Sequence, residues 1–153
     1  MTADAPTAGR IVDGVHHLPV RVYFEDTDLS GVVYHANYLR FMERARSDFL
    51  RLAGVDQRAA FDGGTGVYAV ADLSIRYIAP AKLDDALTVV SRIAVVRAAS
   101  TVIQQTVMRG PEKLTDARVT AAFLTLAGRP QRQPREWVAT YQALAAGPPS
   151  EGV

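Results

Sequence analysis

A chain of 153 residues, 48% of them hydrophobic, can bury one sizeable core and does not need a second domain. Its net charge of +1, with both signs spread along the chain, excludes the clustered basic face that nucleic-acid binding requires. The absence of cysteine excludes disulfides, thiolate metal sites and a cysteine nucleophile.

Residues 1–14 mix Ala, Thr, Pro, Gly and Asp without periodicity and read as a disordered leader. They lack the plan of a signal peptide, and no apolar run approaches the length of a membrane span, so a cytoplasmic location is expected. His16 and His17 head the first strand. Neighbours on a strand face opposite ways, so the two cannot share a metal and are expected as a surface pair. Val20, Val22 and Phe24 alternate with Arg21, Tyr23 and Glu25, the period of a half-buried strand that delivers Asp26 and Asp28 into a loop.

Tyr38, Met42, Ala45, Phe49 and Leu52 then recur at helical spacing, which predicts a helix starting between residues 34 and 38. It should end near Ala53, with Gly54 as its C-cap. Arg40, Glu43, Arg44, Arg46, Asp48 and Arg51 occupy the other positions and read as a solvated face, with pairs such as Glu43 with Arg46 and Asp48 with Arg44. The glycine-rich residues 61–66 lack the lysine and hydroxyl of a phosphate-binding loop and read as a flexible connection.

Residues 66–78 alternate again, with Ala69, Ala71, Leu73, Ile75 and Tyr77 on one side and Tyr68, Val70, Asp72, Ser74 and Arg76 on the other. Strands at 87–97, 100–109 and 114–127, joined by short turns, predict an antiparallel meander. Pro134 opens a second helical pattern through Trp137, Val138, Tyr141 and Leu144, which Gly147 stops. The chain is therefore expected to form one α+β domain over residues 15–146, an antiparallel sheet around one long helix, followed by a flexible tail at 147–153.

The start of that helix should face the loop carrying Asp28, because the first amides of a helix have no partner within it. Such amides can stabilise an oxyanion, while a carboxylate attacks a carbonyl or activates water, so the pairing points to acyl transfer to water. Glu25 and Asp26 are close in sequence and would raise each other's pKa if they converged, although strand alternation points them apart, and Asp26 is expected to be structural. The loop lacks the further ligands of a calcium site, and no metal is expected. Gly31 suits either a positive φ or close approach of substrate. No G-x-S-x-G elbow or H-E-x-x-H zinc motif offers another site.

Asp26-Thr27-Asp28, Gly31-Val32-Val33-Tyr34-His35-Ala36, Tyr38 and Glu43-Arg44-Ala45-Arg46 together resemble the hotdog-fold acyl-CoA thioesterases of the 4-hydroxybenzoyl-CoA thioesterase type, most closely their YbgC-like, Tol-Pal-associated branch. The resemblance is weaker but collinear through Ala79-Pro80-Ala81-Lys82-Leu83-Asp84-Asp85 to about Leu126. It implies a curved sheet of about five strands wrapped around the helix.

The resemblance also places the catalytic carboxylate, nucleophile or general base, at Asp28. It makes the His35 amide the oxyanion donor with the imidazole in a secondary role, and it sets Gly31, Tyr34 and Asn37 around the substrate. No cofactor is implied beyond the coenzyme A of the substrate. A homodimer or homotetramer with its active site at the subunit interface is implied, with peripheral association with the envelope as a further partner reading. Two other functions fit parts of the pattern: a non-hydrolytic acyl-binding or scaffold protein, and an aryl-CoA thioesterase, against which His35 and Glu43-Arg44-Ala45-Arg46 weigh. Leu29-Ser30 and Asp72 depart from the pattern and leave the acyl length open.

Overall fold

The alternating segments pair into one antiparallel sheet in the computed structural model, which describes residues 4–147. Its strands among the described residues are β1 (Arg10–Val12), β2 (Val15–Arg21), β3 (Val67–Tyr77), β4 (Ala86–Val96), β5 (Ser100–Arg109) and β6 (Glu112–Leu124), in the spatial order β1-β2-β4-β5-β6-β3. The expected meander is β4-β5-β6, closed by the short turns after Val96 and Arg109. Strand β2 joins it at one side and β3 at the other, so β3 is an outer strand.

Helix α1 (Asn37–Leu52) lies against the sheet. Its Tyr38, Phe41, Met42 and Ala45 form one core with Leu18, Val22, Val89, Val107, Leu114 and Ala117 of the strands and their flanks. Phe41 and Met42 are wholly buried, each contributing about 2–3 kcal/mol of apolar burial. A second cluster, Phe49, Val55, Ile93 and Tyr141, docks α3 (Arg135–Ala146) near the far end of α1. No helix of the described residues is long and apolar enough to cross a membrane.

Five features differ from the sequence reading. The leader is not structureless to residue 14: Arg10–Val12 pairs with β2 through Arg10 opposite His17, adding a sixth strand. Of the expected tail only Gly147 is described. Strand β2 ends at Arg21, because the chain turns into a 3₁₀ segment, Phe24–Asp26, which leaves Phe24 81% exposed rather than inward. Residues 57–62 form a short helix, α2 (Gln57–Asp62), capped by Asp56 accepting from the Ala59 amide. In β3 a bulge between Val70 and Asp72 moves the inward face from one parity to the other. Tyr68 therefore packs inward before it and Leu73 and Ile75 after it.

The fifth difference is the largest. His16 is fully buried rather than paired with His17 at the surface. Its Nε2 lies 2.6 Å from Asp48 Oδ2, and its ring stacks on Phe49 at 5.0 Å. Asp48 is thus not on a solvated face with Arg44; it also accepts from the Gly9 amide at 2.9 Å. Gly9 is obligatory in this arrangement, since a Cβ there would stand 2.8 Å from His16 Nε2 and 2.9 Å from Asp48 Oδ2. Arg46, expected to pair with Glu43 in solvent, turns inward and donates to Gln105 Oε1 at 2.9 Å, and burial lowers its pKa.

Candidate active site

Two aspartates two residues apart build the loop between β2 and α1, in different ways. Asp26 is buried and both of its carboxylate oxygens are engaged: Oδ2 accepts from the Tyr23 amide at 2.8 Å and Oδ1 from Asn37 Nδ2 at 2.7 Å. Its carbonyl accepts from the Tyr34 amide at 2.8 Å. Asp26 therefore ties the strand end to the helix start, the structural role expected of it. Asn37, expected beside the substrate, is buried and its amide group is used on Asp26, so it braces the loop.

Asp28 stands at the tip of a small hairpin. Its amide donates to Val32 O at 3.0 Å, the Gly31 amide donates back to Asp28 O at 3.0 Å, and Thr27 bridges to Val33. Gly31 has φ +82°, a backbone conformation that favours glycine, with open space where a Cβ would lie. The hairpin is fixed to the chain before β4 by Val33 donating to Ala81 O at 2.8 Å and by a Val32 to Lys82 bridge. At the tip, Ser30 donates to Asp28 Oδ1 from its amide at 2.8 Å and from Oγ at 2.5 Å. These two bonds, the hydroxyl's first, lower the Asp28 pKa below the ordinary carboxylate value, with a smaller contribution from the His35 charge. Asp28 is exposed and ionised at neutral pH, with Oδ2 unengaged among the described residues.

The helix start beside it is uncapped. Ala36 is the N-cap, contributes no side-chain bond, and no acidic residue lies in the first turn. The amides of His35 and Ala36 donate to no acceptor among the described residues, whereas Asn37 donates to Tyr34 O and Leu39 to Ala36 O. Two open donors at a helix N-terminus are what a developing oxyanion needs. The His35 side chain is exposed, packs on Tyr34 at 4.4 Å, and makes no hydrogen bond to Asp28. Tyr34 is half-exposed at the rim.

Sequence reasoning missed one residue here. The Tyr77 hydroxyl, at the end of β3, donates to the His35 carbonyl at 2.8 Å, and its ring meets His35 edge-on at 6.4 Å and Tyr38 at 5.7 Å. Nothing local signals a contact across 42 positions.

A cavity of about 270 Å³ lies further along α1, lined by Arg46, Phe49, Leu50, Tyr68, Ile103 and Tyr141 among others. Glu43 and Arg46 stand among its apolar side chains, and neither Asp28 nor His35 nor Ala36 lines it. The open amides thus lie at the loop and not at this cavity, whose lining is largely apolar.

A family model described as Thioesterase superfamily matches residues 30–115, a stretch that starts just past Asp28 and includes Gly31, Tyr34, His35, Asn37 and Tyr77. The acyl-CoA thioesterase YbgC of Haemophilus influenzae is 38% identical over 135 residues, covering 88% of this chain and 99% of that protein. The acyl-CoA thioester hydrolase YbgC of Escherichia coli is 37% identical over 126 residues, covering 81% and 93%. Among solved structures, a probable thioesterase from Bartonella henselae superposes with a TM-score of 0.75 at 37% identity, covering 78% of this chain and 99% of its own.

Proposed function

This chain belongs to the thioesterase superfamily and is a thioester hydrolase, and from that premise we propose that it cleaves acyl-CoA with Asp28 and the start of α1. The observation that carries this reading is the meeting, at one loop, of an exposed carboxylate held ionised by Ser30 and two amides without acceptors among the described residues. The thioester carbonyl oxygen accepts from the amides of His35 and Ala36. Oδ2 of Asp28 either attacks the carbonyl carbon, giving an anhydride that water opens, or takes a proton from an attacking water. Either route adds one water, breaks the carbon to sulfur bond, and releases the free acid and the coenzyme A thiol.

For the acyl group, the apolar cavity along the second half of α1 offers the enclosure that Asp28's open loop lacks. The name of the Haemophilus relative, which spans nearly the same length, favours acyl-CoA over an acyl-binding scaffold. A dimer or tetramer completes the site in this reading. Leu29 is fully exposed beside Asp28, Phe24 and Tyr23 are 81% and 63% exposed, and β3 is an outer strand with Ala69, Val70 and Ala71 exposed.

The test is Asp28→Asn, nearly isosteric, assayed on a panel of acyl-CoA substrates by release of free thiol. Turnover should fall by two or more orders of magnitude, on the order of a lost nucleophile or general base. Wild-type turnover in the folded variant would overturn the assignment. A wild-type protein that binds acyl-CoA but releases no thiol from any of the panel would overturn the substrate class.

A further inference from the structure

The Tyr77 contact bears on the oxyanion site in a way that resting on the reading above makes specific. The two groups of one trans peptide point in opposite directions, so whatever holds the His35 carbonyl also aims the Ala36 amide hydrogen. The holder is the Tyr77 hydroxyl, at 2.8 Å. Bonding at the carbonyl also polarises the peptide and makes its N–H a stronger donor. The Ala36 amide is one of the two that find no acceptor among the described residues.

We infer that Tyr77 is a positioning residue for thioester hydrolysis: its hydroxyl fixes and polarises the His35–Ala36 peptide so that the Ala36 N–H serves with the His35 N–H as an oxyanion donor. The surroundings support a dedicated hydroxyl. The Tyr77 ring is held edge-on between His35 and Tyr38, and Tyr38 is itself fixed by accepting from the Ala81 amide at 3.0 Å. Burial, then the neighbouring Tyr38, raises the Tyr77 pKa, which keeps the donor proton in place across neutral and mildly alkaline pH. The hydroxyl is therefore not needed to pack the ring, and its removal leaves the aromatic contacts intact.

The experiment uses the full chain and Tyr77→Phe, with folding and size confirmed by circular dichroism and light scattering. In steady-state hydrolysis of an acyl-CoA, kcat should fall about tenfold with KM unchanged, because the donor acts on the transition state. The second readout is the infrared carbonyl stretch of a bound ketone isostere of the substrate, with methylene in place of the sulfur, which cannot be hydrolysed. The carbonyl should be shifted to lower wavenumber in the wild type and less so in Tyr77→Phe. An unchanged kcat, or an equal shift in both proteins, would overturn the role of Tyr77. A wild-type carbonyl at its aqueous position would instead overturn the oxyanion site on which the inference rests. If Tyr77→Phe misfolds, 3,5-difluorotyrosine at position 77 keeps shape and hydroxyl but lowers the phenol pKa. It should add an alkaline fall in kcat that the wild type lacks, and a profile identical to wild type would overturn the inference.

Discussion

Each end of α1 brings an aspartate near a histidine, and the two pairs are used in opposite ways. At the far end, His16 and Asp48 are buried and bonded at 2.6 Å, and Asp48 also takes the Gly9 amide. At the start, Asp28 and His35 are exposed and unbonded, with Asp28 held by Ser30 and the amides of His35 and Ala36 left open. A buried carboxylate with its partners in place is costly to disturb and has no access to a substrate. An exposed one with a free oxygen contributes little to stability and is available for chemistry. The residue types alone do not separate the two, and each carboxylate accepts its hydrogen bonds at one oxygen; burial separates them.

The comparison breaks most visibly at the far end. Asp48→Ala should cost about 3 kcal/mol of stability, read as a lower urea midpoint, because it strands the buried imidazole and the Gly9 amide together. Asp28→Asn should leave the same midpoint nearly unchanged, as an exposed substitution does, while turnover falls by two or more orders of magnitude. A reversal of these two costs would sink the division of labour.

His35 sharpens it next. His35→Pro deletes an amide that bonds nothing among the described residues, so the protein should survive while turnover falls by about a hundredfold, some 2.7 kcal/mol of barrier. His35→Ala keeps the amide and should lose no more than about tenfold, some 1.4 kcal/mol. Equal activity in the two folded variants would remove the amide from the mechanism.

The smallest effect is a shift in pH. The Ser30 bonds lower the Asp28 pKa, so the carboxylate stays ionised as pH falls past the ordinary value and the acid limb of kcat/KM lies below it. Ser30→Ala removes the hydroxyl, the larger cause, and should move that limb upward while changing the rate at neutral pH little. A limb that stays in place or moves down would detach the titration from Asp28. Light scattering at micromolar concentration, expected to give a dimer or tetramer, tests whether the exposed rim around Asp28 is covered in solution.

What was legible in the sequence follows the range of the interactions. Helix α1, the β4-β5-β6 meander and α3 announce themselves by period, since each is decided by neighbours within a few residues. The Asp28 hairpin was readable as a loop beside a helix start for the same reason. The end of β2 at Arg21 was not, because an Asp26 side chain closing on the Tyr23 amide overrides an alternation that continues to Glu25. The bulge in β3 inserts one residue and inverts a correct pattern halfway along it. His16 with Asp48, and Tyr77 with His35, are joined across 32 and 42 positions, and no local pattern reaches so far.

Gly9, His16 and Asp48 meet with no room for another carbon atom at position 9. Three positions from three parts of the chain therefore share a single volume and a single set of polar partners. The tightest obstacle to that carbon is the His17 backbone carbonyl, with the His16 and Asp48 side chains just behind it, so glycine is demanded there by main chain and side chains together. Descendants of this sequence should therefore keep glycine at position 9 even where positions 16 and 48 change together.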